Sequence, residues 1–112
     1  NKEQSYEYTD LERTLIDVAI RPVYAGGVFE VLEAYKNAKE KLDVTKLKNY
    51  LQKMNFIYPY HQVIGFYLEK AGYEEKYLNL FDKKMDFKFY LTYDIRNKEY
   101  SPRWQLYFPK GF

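Results

Sequence analysis

The sequence predicts an α+β domain, with about four to five helices followed by a C-terminal antiparallel β-hairpin. Apolar residues recur at helical spacing from Leu11 to Phe81. After Asp86 the period changes to two, with Phe87, Phe89, Leu91 and Tyr93 alternating with Lys88, Tyr90, Thr92 and Asp94. A chain of 112 residues has room for one core, so residues 1–112 are read as a single domain.

The first helix is expected to open on Thr9-Asp10-Leu11-Glu12, which has the form of a capping box. The Thr9 hydroxyl then accepts from the Glu12 amide, and the Glu12 carboxylate reaches back to the Thr9 amide. Leu11, Leu15, Val18 and Ala19 form its apolar stripe. Arg21-Pro22 ends it, because proline pushes the residue before it out of the helical region. Tyr24-Ala25-Gly26-Gly27 reads as a turn, with a glycine supplying positive φ.

A second helix is expected from Val28 to Leu42, with Val28, Val31, Leu32, Tyr35 and Leu42 on one side. Asp43 is the natural N-cap of a third, whose stripe is Leu47, Tyr50, Leu51 and Met54, and these two helices are expected to pack antiparallel. A fourth carries Tyr60, Val63, Ile64, Tyr67, Leu68 and Ala71 and stops at Gly72. A short fifth helix holds Tyr77, Leu78 and Phe81. The hairpin strands are expected over 87–93 and 103–108, joined through a polar turn at Arg96-Asn97-Lys98-Glu99, with Trp104, Leu106 and Phe108 on the buried face.

Composition narrows the function classes. Hydrophobic residues are 46% and charged residues 30%, so the signature of disorder is absent. With 14 Tyr and 8 Phe there are more rings than a small core needs, and tyrosine, apolar at one end and polar at the other, suits a contact surface. There is no Cys, which removes disulfides and thiolate metal sites and agrees with a cytoplasmic setting. No apolar run approaches the roughly 20 residues that cross a bilayer, so no membrane partner is expected. The chain starts at Asn1 without Met, as a domain cut from the C-terminal part of a longer protein would.

Little in the chain points to catalysis. His61 is the only histidine, no phosphate-binding glycine motif occurs, and Ser5 and Ser101 lie in predicted loops. No cofactor, metal ligand set or catalytic group is therefore assigned. Net charge is +2, too small for a chain-wide nucleic-acid footprint, although residues 84–112 carry six basic and three acidic residues among rings. That hairpin is an alternative nucleic-acid surface, with Lys88, Arg103 and Trp104 as contacts.

The most specific segment is Asp10 to Gly27, read as Asp-Leu-Glu-Arg-Thr-Leu-Ile-Asp, then Arg-Pro, then Tyr-Ala-Gly-Gly. Together with the Asp43-Val-Thr-Lys-Leu helix, the Gly65-to-Gly72 stretch and Ser101-Pro-Arg-Trp-Gln-Leu, it resembles the C-terminal domain of AbiEi-type antitoxins of abortive-infection systems, also described as predicted transcriptional regulators of viral defence. The resemblance implies a domain that binds and neutralises a cognate nucleotidyltransferase-like toxin. It further implies that DNA is contacted through an N-terminal winged helix that these 112 residues do not include.

Arg13, Asp17 and Arg21, at i, i+4 and i+8, are expected to stand on one helix face as an ion-pair ladder. With Tyr24 they make up the candidate partner-binding surface. A structural role, placing or dimerising the DNA-binding part as a homo-oligomer, is the other alternative.

Overall fold

A computed structural model describes residues 10–83 and 85–112. Helices α1 (Leu11–Ile20), α2 (Val28–Asn37), α3 (Val44–Met54), α4 (Tyr60–Lys70) and α5 (Glu75–Leu78) precede strands β1 (Phe89–Tyr90), β2 (Lys98–Ser101) and β3 (Leu106–Pro109). Short 3-10 turns at Pro22–Ala25 and Asn79–Phe81 follow α1 and α5. The class is α+β, as expected.

Thr9, the expected cap of α1, lies outside the described residues. Asp10 occupies the cap position in extended backbone, and the Glu12 carboxylate accepts from the Asp43 amide at 2.9 Å. Glu12 thus ties α1 to the start of α3. Lys46 Nζ stands 3.1 Å from Asp10 and 3.7 Å from Glu12, and the Tyr50 hydroxyl donates to Asp10.

Helix α2 stops at Asn37, ahead of the expected Leu42, and a turn over 38–41 delivers the Asp43 amide to Glu12. Asp43 caps α3 as predicted, its Oδ1 accepting from the Lys46 amide at 3.1 Å. Helix α3 packs chiefly on α1 rather than on α2, so the expected antiparallel pair is replaced by an arrangement in which α1 contacts α2, α3 and α4. Helix α4 is the central element, with every residue from Gln62 to Leu68 buried. It ends before Gly72, whose φ of +86° is open to glycine at little cost.

Tyrosines fill much of the core. Tyr35 and Tyr67 are fully buried and stack at 5.3 Å, Tyr35 donates to the Leu15 carbonyl at 2.9 Å, and Tyr73 donates to the Tyr35 carbonyl at 2.8 Å. Burial pushes the Tyr73 hydroxyl up to about 12 and Tyr35 well above its ordinary value, so both remain hydrogen-bond donors.

The strands correct the expected hairpin. They form a mixed sheet in the order β1-β3-β2, with β1 parallel to β3 and β2 antiparallel to it. The antiparallel pair is β2 with β3, and β2 falls on Lys98–Ser101, next to and partly over the segment read as a turn. Asp94 and Asn97 adopt φ of 50° and 49°, a left-handed geometry that Asp and Asn tolerate, and the chain turns back there.

Because β1 has only two residues, the predicted alternation fails at both ends of the segment. Tyr93 is 94% exposed and Phe87 is exposed, whereas Leu91 is buried. Trp104, Leu106 and Phe108 are buried as expected, although Trp104 belongs to the turn before β3. Among the described residues, no helix is long and apolar enough to cross a membrane.

Candidate functional site: an aromatic groove beside the first helix

Pro22 cannot continue α1, and the 3-10 turn it opens lifts Val23 and Tyr24 into solvent, with Tyr24 68% exposed. This turn faces the segment from Phe89 to Ile95 across a groove of about 910 Å³. Tyr58 and Tyr60, at the entry to α4, line it together with Arg21, Tyr24, Phe89 and Tyr93.

The rings brace one another. Tyr58 stacks on Phe89 with centroids 6.0 Å apart, Tyr60 meets Phe89 edge-on at 5.8 Å, and the Arg21 guanidinium lies 6.0 Å from the Tyr24 ring. Charge at the groove comes from Arg21, Lys98 and Asp94. Burial, then the neighbouring Tyr93 and Tyr58, raise the Tyr60 hydroxyl above its ordinary value and keep it a neutral donor. The groove therefore offers ring faces, hydroxyl donors and one guanidinium, which suits an amphipathic protein surface.

Two of the four expected partner residues, Arg21 and Tyr24, line this groove, and Arg13 and Asp17 do not. Both are exposed on α1. The expected ladder does not form: among the described residues no ion pair joins Arg13, Asp17 and Arg21. The Asp17–Arg21 step is lost because α1 ends at Ile20, while Arg13 and Asp17 share the helix without pairing. Arg21 has left the helix at φ −126°, ψ 78°, donating its amide to the Asp17 carbonyl at 2.9 Å.

The alternative nucleic-acid residues separate as well. Trp104 is fully buried, its indole N–H donating to Glu69 Oε1 at 2.9 Å, so it has no free face for a base. Arg103 grips Glu75 through both terminal nitrogens at 3.1 and 2.5 Å and reaches Asp82 at 2.8 Å. Those carboxylates raise its already high pKa, and the fork is committed within the fold. Lys88 is exposed.

His61 is half-buried beside a smaller hollow of about 270 Å³ lined also by Gln52, Asn55 and Lys83. Its Nε2 is buried without a hydrogen-bond partner, and burial, then Lys83, lower its pKa. Among the described residues, no group of three or more His, Asp or Glu is placed to hold a metal ion.

Sequence reasoning missed Tyr58, Tyr60, Phe89 and Tyr93 as groove residues. Only the surplus of tyrosine signalled that rings were available. No family model, no curated protein and no solved structure matches the chain.

Proposed function

We propose that this domain is the partner-binding part of an AbiEi-like antitoxin, a cytoplasmic transcriptional autoregulator that captures and neutralises a nucleotidyltransferase-like toxin. In this reading DNA is contacted by a winged helix elsewhere in the longer protein. The observation that carries it is the groove in which Arg21 and Tyr24, from the segment bearing the family resemblance, come together with exposed Tyr58 just before α4, half-buried Tyr60 at its start, and exposed Tyr93 beyond β1. Tyrosine and arginine are the residue types that dominate binding energy at protein interfaces, where rings fill pockets and the guanidinium fork meets carboxylates. Arg13 and Asp17, on the exposed side of α1, extend the surface.

The test is capture from a lysate of the source organism at low and high salt, with the wild-type chain and with Arg21→Ala and Tyr24→Ala. A nucleotidyltransferase-like protein retained at high salt by the wild type and lost by both variants is the expected result. Equal capture by wild type and variants removes the groove from the proposal, and absence of any such protein removes the antitoxin reading. The melting temperature of Tyr24→Ala should stay within a few degrees of wild type, because the ring is exposed and surface substitutions change stability by about 0.5 kcal/mol or less.

A further inference from the structure

The register of the sheet places three tyrosines in one row. Tyr90 on β1 stands opposite Tyr107 on β3, and Tyr107 stands opposite Tyr100 on β2. Their ring centroids are 5.0 and 4.9 Å apart. Side chains alternate between the faces of a strand, so Lys98 lies on the same face as Tyr100, two residues on. Lys98 Nζ sits 5.4 Å from the Tyr90 ring and 5.7 Å from the Tyr107 ring, and Lys88 Nζ sits 5.1 Å from the Tyr100 ring.

The opposite face is turned to the core, with Leu106 and Phe108 buried. Glu99 is the register partner of Phe108 and so belongs to that other face. Among the described residues, the three strands themselves therefore direct rings and ammonium groups, and no carboxylate, to the outward face.

Packing between the strands holds half-buried Tyr107 between its neighbours and leaves the ends of the row open, with Tyr90 47% and Tyr100 37% exposed. A row of partly open rings with lysines over it is complementary to a polymer that alternates flat bases with phosphates. We infer that the outward sheet face binds a short stretch of single-stranded nucleic acid, bases stacking on Tyr90 and Tyr100 at the two ends of the row, with Tyr107 bracing both from between, while Lys88 and Lys98 move from the rings to phosphates. Duplex does not fit, because its bases are already stacked on each other. The surface differs from the hairpin contacts expected from sequence: Lys88 stays, and Lys98 and the three tyrosines replace the committed Arg103 and the buried Trp104. Tyr90 and Lys98 also line the groove at the turn after α1, so the two surfaces adjoin; Tyr100 and Lys88 lie only on the sheet face and Arg21 and Tyr24 only in the groove, which lets their variants separate this inference from the toxin-binding reading.

The experiment is fluorescence anisotropy of the 112-residue chain with labelled oligouridine and oligothymidine of about 12 nucleotides, and with a duplex of equal length. Two lysine–phosphate contacts predict that binding weakens roughly sevenfold between about 50 and 200 mM salt. Tyr100→Ala should weaken binding about tenfold and Tyr100→Phe should retain it, because stacking needs the ring and not the hydroxyl. Lys98→Gln should halve the dependence on salt, a readout that survives if the alanine variant fails to fold. Tighter binding of oligouridine assigns the surface to RNA, and of oligothymidine to DNA. Failure to bind either single strand at low salt, equal binding of duplex, or wild-type affinity in a folded Tyr100→Ala would overturn the inference.

Discussion

Trp104 lies against Gly65 in the middle of α4, so closely that a β-carbon on that glycine would stand 2.2 Å from Cζ3 and 2.4 Å from Cη2 of the indole. The ring is fully buried and anchored by its N–H on Glu69, and Gln62, one turn away, donates to the Trp104 carbonyl at 2.7 Å. Gly65 is thus required by the approach of a side chain rather than by backbone conformation.

Gly65→Ala makes that relationship testable. On helix propensity alone the substitution would stabilise α4 by about 1 kcal/mol. Overpacking a buried ring typically costs about 1–3 kcal/mol and sometimes more, and here the clash is well under contact distance with little room to shift. Net destabilisation of about 2 kcal/mol is expected in urea unfolding. A neutral or stabilised variant would show that the indole does not pack on Gly65.

Glu12 offers a second test, because it is buried and its Oε2 accepts the Asp43 amide that begins α3. Glu12→Ala leaves that amide without its acceptor and should cost about 1–3 kcal/mol. Glu12→Gln keeps an oxygen in reach and should cost less than half as much. A Glu12→Ala variant as stable as wild type would mean that Glu12 does not hold α1 to α3.

His61 predicts a dependence on pH. Burial and Lys83 hold its folded pKa below the ordinary 6.5, so the unfolded chain takes up the proton first as pH falls. The stability tied to neutral His61 is complete above about 6.5 and is lost progressively as pH falls from there through the lowered folded value. Urea midpoints should therefore fall on acidification through this window, and His61→Gln should flatten that part of the profile. An unchanged slope in the variant would assign the loss to the carboxylates instead.

The helices were legible because their signals are local. Asp43 stands three residues from the amide it caps, Arg21-Pro22 stops α1 by its own sterics, and Gly72 takes the left-handed conformation that closes α4. The strands were not, because a two-residue β1 carries too few positions for a period to register, and its parallel pairing with β3 joins segments 17 residues apart.

At the candidate site, Arg21 and Tyr24 were legible from a contiguous motif, and Tyr58, Tyr60 and Tyr93 were not. Tyrosine serves equally as a buried donor, as in Tyr35 and Tyr73, and as an exposed ring, as in Tyr93. Nothing within a few residues of each distinguishes these roles.

By itself, then, the sequence determined an α+β chain in which Arg21-Pro22 ends α1, Asp43 caps α3 and Gly72 follows α4, with Trp104, Leu106 and Phe108 turned inward. Only the tertiary structure decided which strand pairs with which, which tyrosines face water, that Glu12 accepts from the amide that begins α3, and that Arg103 is held by Glu75 and Asp82. The division follows from range. Helix signals act over three or four residues and are written in order along the chain, whereas strand partners, exposed rings and ion pairs depend on packing between segments far apart in sequence.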